Sequence, residues 1–342
     1  MAIDTSDTRS THPAVLVTGG AGYIGSHAVL ALRDAGWPVV VIDNLVTGFR
    51  WALPDDVPLV EGNVGDGALV AQTIRDHDVG AIMHFAGSVV VPDSVSDPLS
   101  YYANNTVNSR ALIEVAVQEG VPHFIFSSTA ATYGIPESIP AREDDPTRPI
   151  NPYGWSKLMT EQMLADTAAA HAINYCALRY FNVAGADPQG RTGQSTTGAT
   201  HLIKVACEAA LGKRADVAVF GSDFATPDGT GVRDYIHVSD LAAAHVAALD
   251  TLIAEPARSL VMNCGYGHGF SVLEVLDAVD RVAGTTLARR IEGRRAGDPD
   301  ALTADNARIL ATLDWTPRYD NLDTIVADAL AWEAELARRG VN

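Results

Sequence analysis

The sequence predicts an α/β protein: a doubly wound parallel sheet with a smaller mixed α/β substrate-binding domain beside it. Three features carry that expectation. Between Ala14 and about Asn182, short apolar runs (VLVTGG, VVVIDN, AIMHFAG, HFIFSS and CALRYFN) alternate with amphipathic stretches, as expected for parallel strands covered by helices on both faces. The first run leads into glycines at positions 19, 22 and 25 that open a helix, which makes the sheet Rossmann-type. Beyond Asn182 the alternation gives way to Gly- and Pro-rich stretches such as NVAGADPQGRTGQSTTG and FGSDFATPDGTG, mixed with helices.

Residues 1–13 are polar, lack the basic and apolar regions of a secretory signal, and are expected to form a disordered tail. VLVTGG is the first strand, and the helix it feeds is expected over Tyr23–Asp34. VVVIDN is the second strand and ends near Asp43. Helices are expected over Ala68–Asp76 and Leu99–Glu119, on either side of the strand AIMHFAG. HFIFSS ends its strand in the hydroxyls Ser127, Ser128 and Thr129. Asn151 is a good N-cap and Pro152 suits a first helical position, so a helix starts there and runs through LMTEQMLADTAAA. CALRYFN follows as a strand, and a strand-like SLVMNCG with a helix over Asp240–Ile253 is expected to return to the first unit. The expected division assigns residues 14–188 with about 236–263 to a dinucleotide-binding domain, and about 189–235 with 264–342 to a substrate domain.

At 342 residues, 47% hydrophobic and 19% charged, the chain can bury a sizeable core. No apolar run is long enough to span a bilayer. Cys176, Cys207 and Cys264 are widely spaced and odd in number, which suggests reduced thiols in a cytoplasmic setting; they lack the paired spacing of a zinc site, and no metal is expected. A formal charge of −18 argues against nucleic acid or an anionic membrane as partner. It also sets a requirement, because an anionic substrate then needs local positive charge. Arginine's fork suits phosphate oxygens, and Arg233 and Arg295 sit in Gly-rich or Pro-flanked segments able to close over a ligand.

Gly19, Gly22 and Gly25 form Gly-x-x-Gly-x-x-Gly between a strand and a helix. Such glycines tighten the turn and let backbone approach a pyrophosphate at the helix N-terminus. Asp43 can accept hydrogen bonds from adenosine ribose hydroxyls and would repel a 2′-phosphate, which selects NAD over NADP. No arginine directly follows it in DNLVTG, although Arg50 is near.

In a parallel α/β sheet the carboxyl ends of the strands face the ligand crevice, so Thr129 is expected near a nicotinamide. Tyr153 and Lys157 are four residues apart and share a helix face. A free tyrosine titrates near 10, and lowering it to about 7 takes roughly 4 kcal/mol of preferential phenolate stabilisation. The Lys157 ammonium and the positive nicotinamide ring are expected to supply it. Tyr153 is then the base that removes an alcohol proton as hydride leaves the carbon, and Thr129 shares the hydrogen bond. His237 and His245 have no metal-ligand spacing and are expected to be structural or exposed.

From Ala14 to about Asp305 the chain resembles the extended short-chain dehydrogenase/reductase family, and within it the UDP-hexose 4-epimerases. The glycine turn and Tyr-x-x-x-Lys are common to the family; HFAG followed by DPLSYYANN, then LRYFNVAGADPQG, DGTGVRDYIHV and RRAGDPDALTAD are more specific. The resemblance implies reversible inversion at carbon 4 between UDP-glucose and UDP-galactose, through a transient 4-keto sugar and a retained NAD. It assigns cofactor contacts to Tyr23, Ile24, Asp43, Asn44, Leu45, Thr47, Gly48, Asn63, Val64, Phe85, Ala86, Gly87, Asn104, Thr129, Tyr153, Lys157 and Phe181. Nucleotide-sugar contacts fall on Thr129, Tyr153, Asn182, His201, Leu202, Ala218, Val219, Phe220, Arg233, Arg295 and Asp298. A homodimer joined by the helices over Leu99–Glu119 and Tyr153–Ala170 is also implied.

Several positions depart from the family pattern. Thr129 replaces a frequent serine, Asn63 an aspartate, Val89 a lysine and His201 an asparagine. Leu302 stands where a bulky tyrosine can restrict the sugar pocket, which leaves N-acetylated substrates undecided. Ala130 and Ala131 occupy the place of a dehydratase's acidic pair and count against that chemistry. Epimerisation of another UDP-sugar (N-acetylhexosamine, pentose or uronate), a dehydrogenase releasing NADH, and an NAD-binding protein without turnover stay open as rivals.

Overall fold

The structure, a computed structural model, describes residues 12–295 and 297–340. All but His12 and Pro13 of the expected N-terminal tail lie outside the described residues, and the His12 ring packs 4.2 Å from that of Trp37. The strands are β1 (Ala14–Thr18), β2 (Val39–Asp43), β3 (Leu59–Glu61), β4 (Val79–His84), β5 (His123–Thr129), β6 (Asn174–Tyr180), β7 (Asn182–Ala184), β8 (Val217–Phe220), β9 (Val232–Arg233), β10 (Tyr235–His237), β11 (Leu260–Cys264), β12 (Phe270–Ser271), β13 (Arg289–Glu292) and β14 (Ala301–Leu302). The helices are α1 (Tyr23–Asp34), α2 (Gly67–Asp76), α3 (Val91–Ser96), α4 (Pro98–Tyr101), α5 (Asn108–Gln118), α6 (Pro152–Ala170), α7 (Leu202–Ala210), α8 (Val238–Ala254), α9 (Val272–Ala283), α10 (Ala307–Thr312) and α11 (Leu322–Arg338).

Seven parallel strands make the central sheet in the order β11-β6-β5-β4-β1-β2-β3. The chain leaves β1 toward β2 on one side and returns to β4 on the other. That reversal opens a crevice at the carboxyl ends of β1 and β4, where open α/β sheets bind ligands. Alternate residues of each strand feed two cores on the two faces. Val15, Val17, Val41, Met83 and Leu178 join α1 and α8 in one core, while Leu16, Ile42, Ile82, Phe124 and Phe126 join α2, α5 and α6 in the other. Each fully buried side chain of this size contributes about 1.5–3 kcal/mol, which is why these runs are apolar without a break. β3 escaped the sequence pattern because it is a three-residue edge strand whose side chains stay partly exposed. β11 and α8 do return to the sheet, β11 as its edge beside β6 and α8 packed on α1 and β5. Among the described residues no helix is long and apolar enough to cross a membrane.

The later part of the chain forms short sheets: β7 with β10, β12-β9-β14, and β8 with β13. The C-terminal α11 is docked by Trp332, whose Nε1 donates to Ser195 Oγ at 3.2 Å, and by Glu333, which pairs with Lys204 and Lys213.

The stretch Leu99–Glu119 is not one α-helix. Between α4 and α5 the residues Tyr102–Val107 take a π-helical turn, which holds an extra residue and often marks a functional segment. Its side chains explain the wider turn. Asn105 donates from Nδ2 to the Ser88 carbonyl (2.9 Å) and to Ser156 Oγ (3.0 Å) while its Oδ1 accepts from the Ser88 N–H. Asn104 Nδ2 bonds Ser88 Oγ at 2.9 Å. The segment after β4 is thereby latched to α6.

Several histidines are fully enclosed. His84 bridges Thr18 Oγ1 (2.7 Å) and Ser109 Oγ (2.8 Å), and His245 holds the Leu241 carbonyl through Nδ1. His237 and His245 are both completely buried, so the alternative that they are exposed is ruled out. Burial, with the Lys157 charge nearby, lowers His84 to about 3; burial lowers His27 and His245 to about 4. The unfolded chain takes up these protons as pH falls through about 6.5, whereas the folded chain resists until near 4 or below. Their stability contribution is therefore full above pH 6.5 and lost below it, at up to about 1.4 kcal/mol per pH unit for each ring. Urea unfolding midpoints should drop steeply between pH 7.5 and pH 5; a flat profile over that range would contradict neutral buried imidazoles.

Candidate active site

The glycine turn closes on neighbouring backbone at two of its glycines and leaves room at the third. A Cβ on Gly19, whose φ is +69°, would lie 2.6 Å from the Ala86 nitrogen, and one on Gly25 would lie 2.2 Å from the Gly19 carbonyl oxygen. On Gly22 it would meet only that same oxygen, at 3.3 Å. Gly22 is also the N-cap of α1, and no side chain caps the helix there. The first amides of Tyr23 and Ile24 thus begin a helix beside open space, the arrangement that receives a pyrophosphate.

Asp43 is buried at the end of β2, and its carboxylate accepts from Ala21 N (2.9 Å) and Leu45 N (2.8 Å). About two of its four acceptor positions are left for a ribose. The loop through Asn44, Leu45, Thr47 and Gly48 lies against the glycine turn; a Cβ on Gly48 would come within 2.9 Å of Ala21. Asn63 turns its Oδ1 onto Gly65 N at 2.7 Å, so that oxygen is already engaged, and Val64 is core. Tyr23 commits its hydroxyl to the Gly185 carbonyl at 2.7 Å. Phe85, Ala86 and Gly87 follow β4 at the same rim, and a Cβ on Gly87 would sit 3.8 Å from Lys157 Nζ. Val89 is 52% exposed and brings no charge. An uncapped helix start, a small-residue rim and a fixed carboxylate fit a dinucleotide.

Helix α6, which carries Tyr153, starts as the sequence predicts, with Asn151 Oδ1 accepting from Gly154 N at 2.8 Å and Pro152 in its first turn. Gly154 explains how close it comes to β5, since a Cβ there would be 2.6 Å from the Ala131 carbonyl oxygen. That approach lets the Thr129 hydroxyl share a hydrogen bond with Tyr153. Lys157 is buried and donates from Nζ to the Ser127 carbonyl at 2.9 Å. The expected electrostatics need correcting. Burial pushes Tyr153 up to about 12 against the lowering by Thr129, with the nearby Tyr101 adding to the rise. Lys157 is lowered by burial to about 8 and is not among the groups that pull Tyr153 down. The reason is the order of titration: a lysine at about 8 has already lost its proton at the pH where a phenol at about 12 ionises.

The predicted nucleotide-sugar residues fall into two connected groups. Asn182, His201 and Leu202 line one cleft, together with Gln194, Tyr235 and Trp332. His201 bonds Gln194 through Nδ1 (2.8 Å), and Asn182 N donates to the Asp234 carbonyl (3.0 Å), next to Arg233. Beyond it, the Arg295 guanidinium lies 3.7 Å over the Phe220 ring, and Arg233 approaches Asp298 at 3.8 Å. The side chain of Val219 is wholly buried in the core, which leaves its backbone for a ligand; Ala218 and Phe220 flank it half-buried. Phe181 and Leu302 pack on Ala130, Tyr133 and Ala141, directly beyond Thr129. The candidates therefore run continuously from the glycine turn, past Thr129 and Tyr153, to Arg233 and Arg295.

Two charged residues at this site were missed. Glu161 of α6 and Arg179 of β6 form a buried pair between that helix and the sheet. The available signals were a carboxylate eight residues after Tyr153, on the same helical face, and an arginine inside the apolar run CALRYFN.

Comparison with known proteins agrees with this geometry. Residues 15–265 match the model of the NAD dependent epimerase/dehydratase family. A UDP-glucose 4-epimerase of Azospirillum brasilense is 58% identical over 331 residues, covering 97% of this chain and 95% of that protein. The crystal structure of UDP-glucose 4-epimerase from Brucella ovis in complex with NAD is 43% identical, with a TM-score of 0.90 over 94% of this chain and 98% of that one. The UDP-glucose 4-epimerase from Bifidobacterium longum in complex with NAD+ and UDP is 38% identical, with the same TM-score and coverage.

Gly25→Ala should push α1 off the turn. Carried into the cofactor site, an overpacking strain of about 1–3 kcal/mol corresponds to a loss of NAD affinity of about 5- to 160-fold. Calorimetric titration of NAD-free protein checks this, and unchanged affinity would contradict the tight packing of the turn.

Proposed function

Since the chain belongs to the NAD dependent epimerase/dehydratase family, we propose that it interconverts UDP-glucose and UDP-galactose by inversion at carbon 4 with a retained NAD. The observation that carries this reading is the meeting of Thr129, Tyr153 and Lys157 at the crevice that the uncapped glycine turn also faces. When bound, NAD supplies the hydride acceptor and donor for carbon 4 and, in its oxidised form, positive charge beside the phenol.

The chain's own residues do the rest. Tyr153 takes the proton of the C4 hydroxyl and returns it once the 4-keto sugar has presented its other face. Thr129 shares the hydrogen bond and keeps the phenol oriented. Bringing that phenol from about 12 to neutral pH takes about 7 kcal/mol, so the protein alone holds it as a proton donor. Lys157 fixes the strand end through Ser127. Arg233 and Arg295 offer guanidinium groups to the diphosphate, Phe220 and Asn182 line the nucleotide end, and Asp298 takes a ribose or sugar hydroxyl. In this reading residues 14–188 with about 236–263 serve NAD, and about 189–235 with 264–342 serve the UDP-sugar. Leu302 borders the sugar end with Phe181; a side chain of middle size there makes acceptance of N-acetylated sugars a matter for measurement.

Three buried free cysteines suit a cytoplasmic enzyme. A homodimer is supported by Leu99, Val107, Trp155 and Met159, which are exposed on neighbouring helical segments.

Purified protein incubated with UDP-galactose and no added NAD should form UDP-glucose without net NADH absorbance. Tyr153→Phe should lose turnover by orders of magnitude while still binding UDP-sugar. No product even with NAD added, or equal rates in mutant and parent, would reject the reading; a parallel incubation with UDP-N-acetylgalactosamine measures the breadth left by Leu302. Sedimentation at micromolar concentration should give a dimer, and a monomer alone would remove the helical interface.

A further inference from the structure

Glu161 lies one turn beyond Lys157 on the face of α6 that also carries Tyr153. It is 5% exposed, and Arg179 of β6, equally buried, forks it with Nε to Oε1 at 2.9 Å and Nη2 to Oε2 at 2.6 Å. Ser128 donates its hydroxyl to the same carboxylate. Two consecutive residues of β5 are thus held by two residues of one helical face, Ser127 by Lys157 and Ser128 by Glu161, and the next residue, Thr129, sets its hydroxyl against Tyr153 of that face.

The network continues away from the helix. Arg179 Nη1 donates to the Tyr133 hydroxyl at 3.1 Å, and that hydroxyl donates to Asn263 Oδ1 at 2.7 Å. Asn263 Nδ2 donates to the Ala141 carbonyl at 2.8 Å. Ala141 N in turn donates to the Thr303 carbonyl at 2.8 Å, beside Leu302. An unbroken series of bonds joins the helix of the base to the wall of the sugar pocket.

A buried ion pair is a poor way to gain stability, because apolar residues of the same volume often do as well or better. What it supplies is direction. Apolar contacts such as that of Leu164 on the same face tolerate sliding, whereas a forked arginine and a hydroxyl on one carboxylate fix a register.

We propose that Glu161 and Arg179 are positioning residues: they lock the helix bearing Tyr153 and Lys157 in register with the strand bearing Thr129, and tie both to the sugar-side wall at Ala141 and Thr303. The proposal rests on the reading of Tyr153 as the base. Misplacing a reacting group by about 1 Å can cost up to a hundredfold in rate, so the effect belongs in kcat.

Ser128→Ala cuts the strand from the carboxylate and leaves the ion pair whole. Its thermal midpoint should stay near the parent's, while kcat for UDP-galactose falls about tenfold and KM stays within about twofold. The pH at which kcat rises should shift upward as the Thr129–Tyr153 bond loosens. Ser128→Thr, which keeps the hydroxyl, should recover most of the rate. Tyr133→Phe, which cuts the link to Asn263, should show the same split between kcat and KM, and Glu161→Gln a larger loss of kcat than either. Parental kcat and pH profile in Ser128→Ala, or a change confined to thermal stability, would overturn the proposal. Absence of epimerisation in the parent protein would instead reject the functional reading on which it rests.

Discussion

The approach of α6 to the end of β5 is the constraint on which the rest of the site depends. It is possible because residue 154 carries no side chain, for a Cβ there would lie 2.6 Å from the Ala131 carbonyl oxygen. Closing that distance brings Tyr153 to Thr129, sets Lys157 on the Ser127 carbonyl and lines Glu161 up with Ser128. A larger residue would tilt the helix start and break these pairings together, since all of them lie along a single helical face. The latch of Asn105 on Ser88 and Ser156 ties the same helix to the segment after β4.

Burial acts on this site in two opposite senses. It raises the phenol of Tyr153 to about 12 and lowers the ammonium of Lys157 to about 8, because in each case the charged form is the one denied water. At neutral pH the phenol therefore rests protonated while Lys157 still carries its charge, and a further positive charge arriving beside the phenol has a large effect where water is excluded. The same logic separates the ion pairs of the molecule. Pairs such as Arg110–Glu114 are exposed and each add little, whereas Glu161–Arg179 is enclosed and its worth lies in geometry.

In the proposed reading, two arginines of this strongly acidic chain supply the positive charge that a diphosphate needs. Arg295 is oriented by the Phe220 ring and Arg233 by the Val232 carbonyl, so both guanidinium groups are held before any ligand arrives. Preset side chains of this kind lower the ordering cost of binding. Phe220 and Arg233 lie on β8 and β9, which pair with β13 and β14, and Arg295 and Asp298 lie on the segment between those two partner strands.

Much of this was legible in the sequence because it rests on rules that act over a few residues. Strand runs, the Asn151–Pro152 helix start, the glycine turn and the four-residue spacing of Tyr153 and Lys157 are local, and α1 and α6 begin and end where those rules put them. Other features depend on who meets whom across the fold. β3 and the π turn at Tyr102–Val107 are set by partners on neighbouring elements. The direction of Lys157, the enclosure of His84 and the burial of Val219 follow from packing that no spacing encodes. Tyr133 meets Asn263 across 130 residues of chain, and Glu161 meets Arg179 across 18. The sequence determined which groups exist and which lie on one face; only the tertiary structure decided which of them lose water and which hydrogen bonds they keep, because desolvation is a property of the whole packed chain.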